Sequence, residues 1–212
     1  MKIEMGESLI YSWLRHVRRC QIVQTNWKVS SQWPLHHEQE LQDLMTTAGQ
    51  RFEEMRGYHI FKKNASLGQV LQQGECDLIG YAANNGRLDV CAVDVAFHEF
   101  GLQYGSRQET VSKILAKTVR TAMCLYGYMD MKKGEILFAS PKINRSVMND
   151  VLPCMEELNK FFVEKDLSYK GRVVANDEFN GEILQPVLKL SGNVADTSEL
   201  FLRSYQMLKM YQ

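Results

Sequence analysis

The dipeptide Asn85-Gly86 divides a long apolar stretch into two arms, and no other feature of the 212-residue chain restricts its folding as strongly. Both residues tolerate positive φ, which a two-residue hairpin turn demands. A tight turn there pairs Asn84 with Arg87, Tyr81 with Val90, Ile79 with Ala92, Asp77 with Asp94 and Glu75 with Ala96. Directly opposed residues share a face of the hairpin. One face then carries Glu75, Asp77, Ala92, Asp94, Ala96 and, one step on, His98. The other carries Cys76, Leu78, Gly80, Cys91, Val93, Val95 and Phe97 and is apolar throughout. Like charges opposed across two strands cost stability. A divalent cation shared by the two aspartates offsets that cost; the alternative is an ordinary solvated sheet face with its acids outward. Ala92 and Ala96 beside Asp94 leave room for a ligand and favour the cation.

The length suits one well-cored domain. No internal repeat, low-complexity tract or Pro/Gly/Ser-rich linker interrupts it, so residues 1–212 read as a single domain. Twenty-five basic and 25 acidic residues cancel, which excludes a global basic field, and any phosphate binding must come from local clusters. The cysteines Cys20, Cys76, Cys91, Cys124 and Cys154 are scattered and form no Cys-x-x-Cys pair. Free thiols in a reducing, cytoplasmic compartment are expected rather than a disulfide framework. No signal-like segment and no run of membrane-spanning length is present, so no membrane partner is expected.

Helical spacing of Leu9, Ile10, Trp13, Leu14 and Val17 predicts a helix over residues 5–19, followed by a strand over 21–25. A second amphipathic helix over 36–56 turns Leu41, Leu44, Met45, Ala48, Phe52 and Met55 to one side. It covers the site, builds a homodimer or completes the core. A short strand at 58–61 and a helical turn at 67–72 lead into the hairpin. Ser106-x-x-Glu109 is a capping box opening a helix to about Tyr126, with a core stripe of Val111, Leu115, Thr118, Ala122 and Leu125. A strand (135–139), a helix (146–164), a strand (171–175), an extended segment (182–190) and a helix (197–211) follow. Interleaved helices and strands predict an α/β fold, its mixed central sheet flanked by helices.

Glu7 lies three and seven residues ahead of Ile10 and Leu14, in line with the buried stripe of the first helix. A carboxylate aimed at the core needs a partner; the alternative is a first-turn glutamate at the surface. Lys113, Lys117 and Arg120 form an i, i+4, i+7 basic stripe, either solvated or a phosphate-contacting ridge. His98 is a general-base candidate or a bystander. Phosphate-binding glycine loops, the Gly-x-Ser-x-Gly elbow and His-Glu-x-x-His are absent. A Cys76–His98–Asp94 triad fails because the register puts Cys76 on the other face.

Gly6-Glu7 opening a helix, Asn26-Trp27-Lys28 after a strand, Gly74-Glu75-x-Asp77-Leu78-Ile79 and Val93-Asp94-Val95 together resemble the PD-(D/E)XK superfamily. The layout is similar to small bacterial endonuclease-like proteins and Holliday-junction resolvases. The resemblance covers residues 5–28 and 74–125 and treats 29–73 as an insertion in a restriction-endonuclease-like domain. It implies metal-dependent hydrolysis of DNA or another nucleic acid. Mg²⁺ or Mn²⁺ would be held by Glu7, Asp77 and Asp94, with Glu75 as an auxiliary acid. The lysine expected two residues after the second acid is replaced by Ala96, and Lys113 or Lys117 is the substitute. The alternative is a non-catalytic nucleic-acid-binding or scaffold protein that keeps the fold.

Overall fold

The computed structural model describes residues 4–84, 86–195 and 197–211. The helices α1 (Met5–Ser12), α2 (Glu38–Arg56) and α3 (Leu67–Gln72) come before the hairpin. The strands β1 (Ile22–Lys28), β2 (Glu75–Asn84), β3 (Arg87–Val95), β4 (Lys133–Ser140) and β5 (Ser168–Ala175) lie in one sheet in that order. The first three strands form an antiparallel meander, and β3, β4 and β5 run parallel. Parallel neighbours need crossovers, supplied by α4 (Arg107–Met129) and α5 (Arg145–Glu164). The chain closes with α6 (Asn176–Phe179), α7 (Gln185–Leu190) and α8 (Leu200–Lys209).

Strand alternation divides the core in two. Ile79, Ala92 and Phe138 join Leu41, Phe52, Leu71, Leu115 and Phe162 on the side of α2 to α5. Their neighbours Leu78, Val93 and Leu137 join Ile10, Leu14, Ile183 and Leu202 on the other side. A mixed sheet between two helical layers results. The hairpin register is the expected one from Asn84–Arg87 to Ile79–Ala92, although Asn85 itself lies outside the described residues. Gly86 takes φ +76°, as the turn requires. The capping box of α4 forms, Ser106 Oγ accepting from the Glu109 N–H and the Glu109 carboxylate from the Ser106 N–H. Its stripe Val111, Leu115, Thr118, Ala122 and Leu125 is buried throughout.

Several expectations are corrected. Residues 182–190 are helical, as a π-helical segment Asn180–Leu184 running into α7, because Ile183 and Val187 bury together at i, i+4 spacing and Pro186 sits near the helix start. Residues 58–61 form no strand; Tyr58 and Ile60 are buried as an irregular segment. Met55 is 40% exposed and lies outside the buried stripe of α2, whose other apolar residues complete the core. The first helix ends in a π-helical turn, Trp13–Val17. Cys76 packs with the α2–α5 cluster rather than with Leu78. Asn26, opposite Asp77, adopts φ +51°, and the β1–β2 ladder skips that pair, so the local twist turns Cys76 and its partner Trp27 to the same side. Ala92 and Ala96 border no open space; both are buried beneath α4.

The five cysteines are free and buried. Among the described residues no helix is long and apolar enough to cross a membrane.

Candidate functional site

The site lies where β2 and β3 stop pairing. Their ladder runs to Leu78–Val93, and beyond it the Asp77 carboxylate takes over, Oδ2 accepting from the Val95 N–H at 2.6 Å. Asp94 is 3% exposed and faces α4. Lys117, near the middle of the capped helix, reaches it with Nζ 2.7 Å from Oδ1. Burial pushes the Asp94 carboxyl up to about 6, with Lys117 pulling down and Asp77 adding to the rise. The Lys117 ammonium is itself held above its ordinary range, because Asp94 and Asp77 outweigh the effect of its own burial. Lys117 thus supplies positive charge to Asp94, the more buried of the two aspartates.

Glu7 approaches from the other layer. A Cβ on Gly6 would lie 3.3 Å from Val95 Cγ1 and 3.5 Å from Phe97 Cβ, so the start of α1 rests on the end of β3. The Glu7 Oε2 atom is buried without a hydrogen-bond partner. Burial raises its carboxyl first and the charge of Asp77 raises it further. Asp77 therefore couples to Glu7 on one side and to Asp94 on the other. One carboxylate oxygen of Glu7 is thus buried, although the residue as a whole is only half-buried. Yet among the described residues no three His, Cys, Asp or Glu side chains are placed to hold a metal ion together.

The remaining candidates separate. Glu75 is exposed and pairs with Lys28 on the neighbouring strand at 3.4 Å, as a surface ion pair. His98 lies beyond the end of β3, exposed, with its ring edge-on to Tyr104 at 5.6 Å; it is not on the sheet face where alternation would put it. The basic stripe splits three ways. Lys117 joins Asp94, Lys113 holds its ammonium 5.0 Å from the centre of the Tyr104 ring, and Arg120 donates from Nη1 to the Gln73 carbonyl at 3.2 Å. Cys76 is inert, since burial drives its thiol well above the usual range and Asp94 and Asp77 add to it.

Tyr104 is the neighbour that sequence reasoning missed. Burial raises its hydroxyl, Lys117 opposes the rise, and Asp94 and Asp77 add to it, which puts the phenol within reach of the same charges. Gly101 and Gly105, at φ +101° and +96°, fold the 96–105 segment back over α4. Two glycines bracketing an aromatic residue just ahead of a capping box were the available signal. Comparison of the chain with protein-family models, with curated proteins and with solved structures found no match.

Proposed function

We propose that this protein is a metal-dependent phosphodiesterase acting on DNA, built on a restriction-endonuclease-like fold. The observation that carries the reading is the Lys117–Asp94 contact of 2.7 Å at the end of an acid-bearing hairpin. A lysine is wanted beside the second acid; Ala96 cannot provide it, and α4 does so from across the sheet face. The mixed sheet, with the hairpin at its centre and a helix directly after it, agrees with this reading.

Glu7, Asp77 and Asp94 are the residues to hold Mg²⁺ or Mn²⁺. Their donors are all carboxylate oxygens, as a hard cation prefers, and the unpartnered Glu7 Oε2 lacks the kind of partner such an ion gives. A bound divalent ion supplies a water of lowered pKa and stabilises charge on the phosphoryl oxygens. The chain's own contributions are distinct. Lys117 places a positive charge beside the phosphoryl oxygens as water attacks and the bond to the sugar oxygen breaks. The Val95 N–H fixes the direction of Asp77. The test is cleavage of plasmid, single-stranded and branched DNA with Mg²⁺ and Mn²⁺. Activity is expected in wild type and lost in Asp94→Asn and Lys117→Gln; activity that survives both substitutions overturns the assignment.

A second reading is favoured by the absence, among the described residues, of three acids placed together on a metal. On that reading the protein binds nucleic acid without cutting it, Lys117 having taken over the cation's role. It requires that Mn²⁺ leave the melting temperature unchanged, whereas the nuclease reading requires a rise.

A further inference from the structure

Beside the acid site, α4 and the segment that leads into the hairpin enclose a groove of about 310 Å³. Its chemistry is one-sided. Lys62, Lys113 and Arg120 line it together with His59, Phe61 and Gln73, and no aspartate or glutamate does, although His59 itself pairs with Glu53 at 3.6 Å. For a chain of zero net charge this is a marked local excess of cations. Arg120 is the most informative member. Its Nη1 is tied to the Gln73 carbonyl, while its Nε is buried and has no partner. A buried guanidinium N–H without an acceptor is costly, and the acceptor that suits guanidinium is a carboxylate or a phosphate. Lys62 is exposed, and neither it nor Lys113 takes part in an ion pair among the described residues.

The groove and the acid site share one helix. Lys113, Lys117 and Arg120 fall on neighbouring turns of α4, and Lys117 is the residue on Asp94. Arg120 stands about 4.5 Å farther along the helix axis than Lys117, so one helix carries a cation at the acid site and a cation in the groove. Phe61, half-buried in the wall of the groove, offers an apolar ring against which a base can stack.

We infer that this groove binds the backbone phosphate of a nucleic-acid strand, with Arg120, Lys62 and Lys113 as its anion-binding groups, and leads the strand away from the acid site. The inserted segment, which supplies His59, Phe61, Lys62 and Gln73, then has a role in holding substrate as well as in packing. The inference rests on the proposed action on nucleic acid but does not need cleavage.

The test is the binding of a labelled single-stranded oligonucleotide to the full chain in EDTA, followed by fluorescence anisotropy over a series of salt concentrations. Arg120→Gln and Lys62→Gln are each expected to weaken binding about five- to tenfold. Each is also expected to lower the slope of log K against log salt by about 0.7, the value for one contact to a single strand. Lys189→Gln, a change on an exposed position of α7, is expected to leave both unchanged. Lys62 is an exposed loop residue, so its variant remains informative should Arg120→Gln fail to fold. Wild-type affinity and slope in Lys62→Gln and in a folded Arg120→Gln overturn the inference. Competition by inorganic phosphate at the oligonucleotide's own affinity also overturns it, since the site would then take a free anion. Failure of DNA cleavage in the earlier assay leaves these binding results untouched, so the two readings fall separately.

Discussion

A carboxyl that titrates at about 6 in the folded protein and at 3.8 in its ordinary setting binds more protons folded than unfolded between those values. Its contribution to stability is therefore greatest at low pH and is lost as the pH rises through 6. Asp94→Asn removes that dependence. The variant is expected to gain on wild type between about pH 4 and pH 7, by on the order of 3 kcal/mol; denaturant unfolding across this range measures it, and a constant difference would show that burial does not dominate Asp94. If the site cleaves DNA with Asp94 ionised, the rate should fall as the pH drops below about 6. Lys117→Met is the complementary change. It leaves Asp94 buried without its cation, at a cost of about 3–5 kcal/mol near neutral pH. The loss should shrink in acid, where Asp94 takes up a proton, and a loss independent of pH would contradict this.

At the level of elements, the close packing of the residue just ahead of the hairpin against α4 can be tested directly. A Cβ on Gly74 would fall 2.4 Å from Cys124 Sγ and 2.7 Å from the Leu71 carbonyl oxygen. Gly74→Ala is expected to destabilise by about 1–3 kcal/mol, seen as a lower denaturant midpoint. Ser106→Ala, which removes half of the capping box, should cost about 1 kcal/mol by the same measurement. The capping box and the Asn-Gly turn were legible in the sequence because they are local, each reporting on the residues around it, whereas the Gly74 packing was not. The register of β2 on β3 followed from the turn as far as Leu78–Val93, but the expected pairs Asp77–Asp94 and Glu75–Ala96 lie beyond the ladder, where Ala96 bonds to Ala139 on β4 instead. The turn did not foretell the twist at Asn26 that carries Cys76 across the sheet, since that depends on pairing with a third strand. Nor did it show Ala92 and Ala96 covered by α4. Residues 182–190 were misread because Pro186 beside an apolar run suits either an edge strand or the opening of a helix, and only the burial of Ile183 with Val187 decides. Lys117 was one of two candidates on a helical stripe, and only its place opposite β3 separates it from Lys113.

Across the whole molecule, the two helical layers are joined to the sheet differently. On the face opposite α4, Glu199 acts as a clasp. It is 7% exposed and accepts from Ser12 Oγ at 2.5 Å, with His16 Nε2 at 2.8 Å and Arg15 Nη1 at 3.4 Å. Ser8 adds a further tie by accepting from the Phe201 N–H at 2.9 Å. Glu199→Ala is expected to cost about 1–2 kcal/mol, because it takes an acceptor from the half-buried His16 and the exposed Arg15 and leaves the buried Ser12 hydroxyl with only the Ser8 carbonyl at 3.1 Å. Amide exchange should accelerate in α8 and α1 before the sheet, and unchanged protection there would show that apolar packing alone holds α8.

Ser12 and Glu199 are 187 positions apart in the chain. During translation the helix bearing Glu7 therefore emerges long before the residue that pins it, and it has no clasp until Glu199 has been added. Should the acid site cleave nucleic acid, its first carboxylate rides on a helix that is held only once Glu199 has joined the fold.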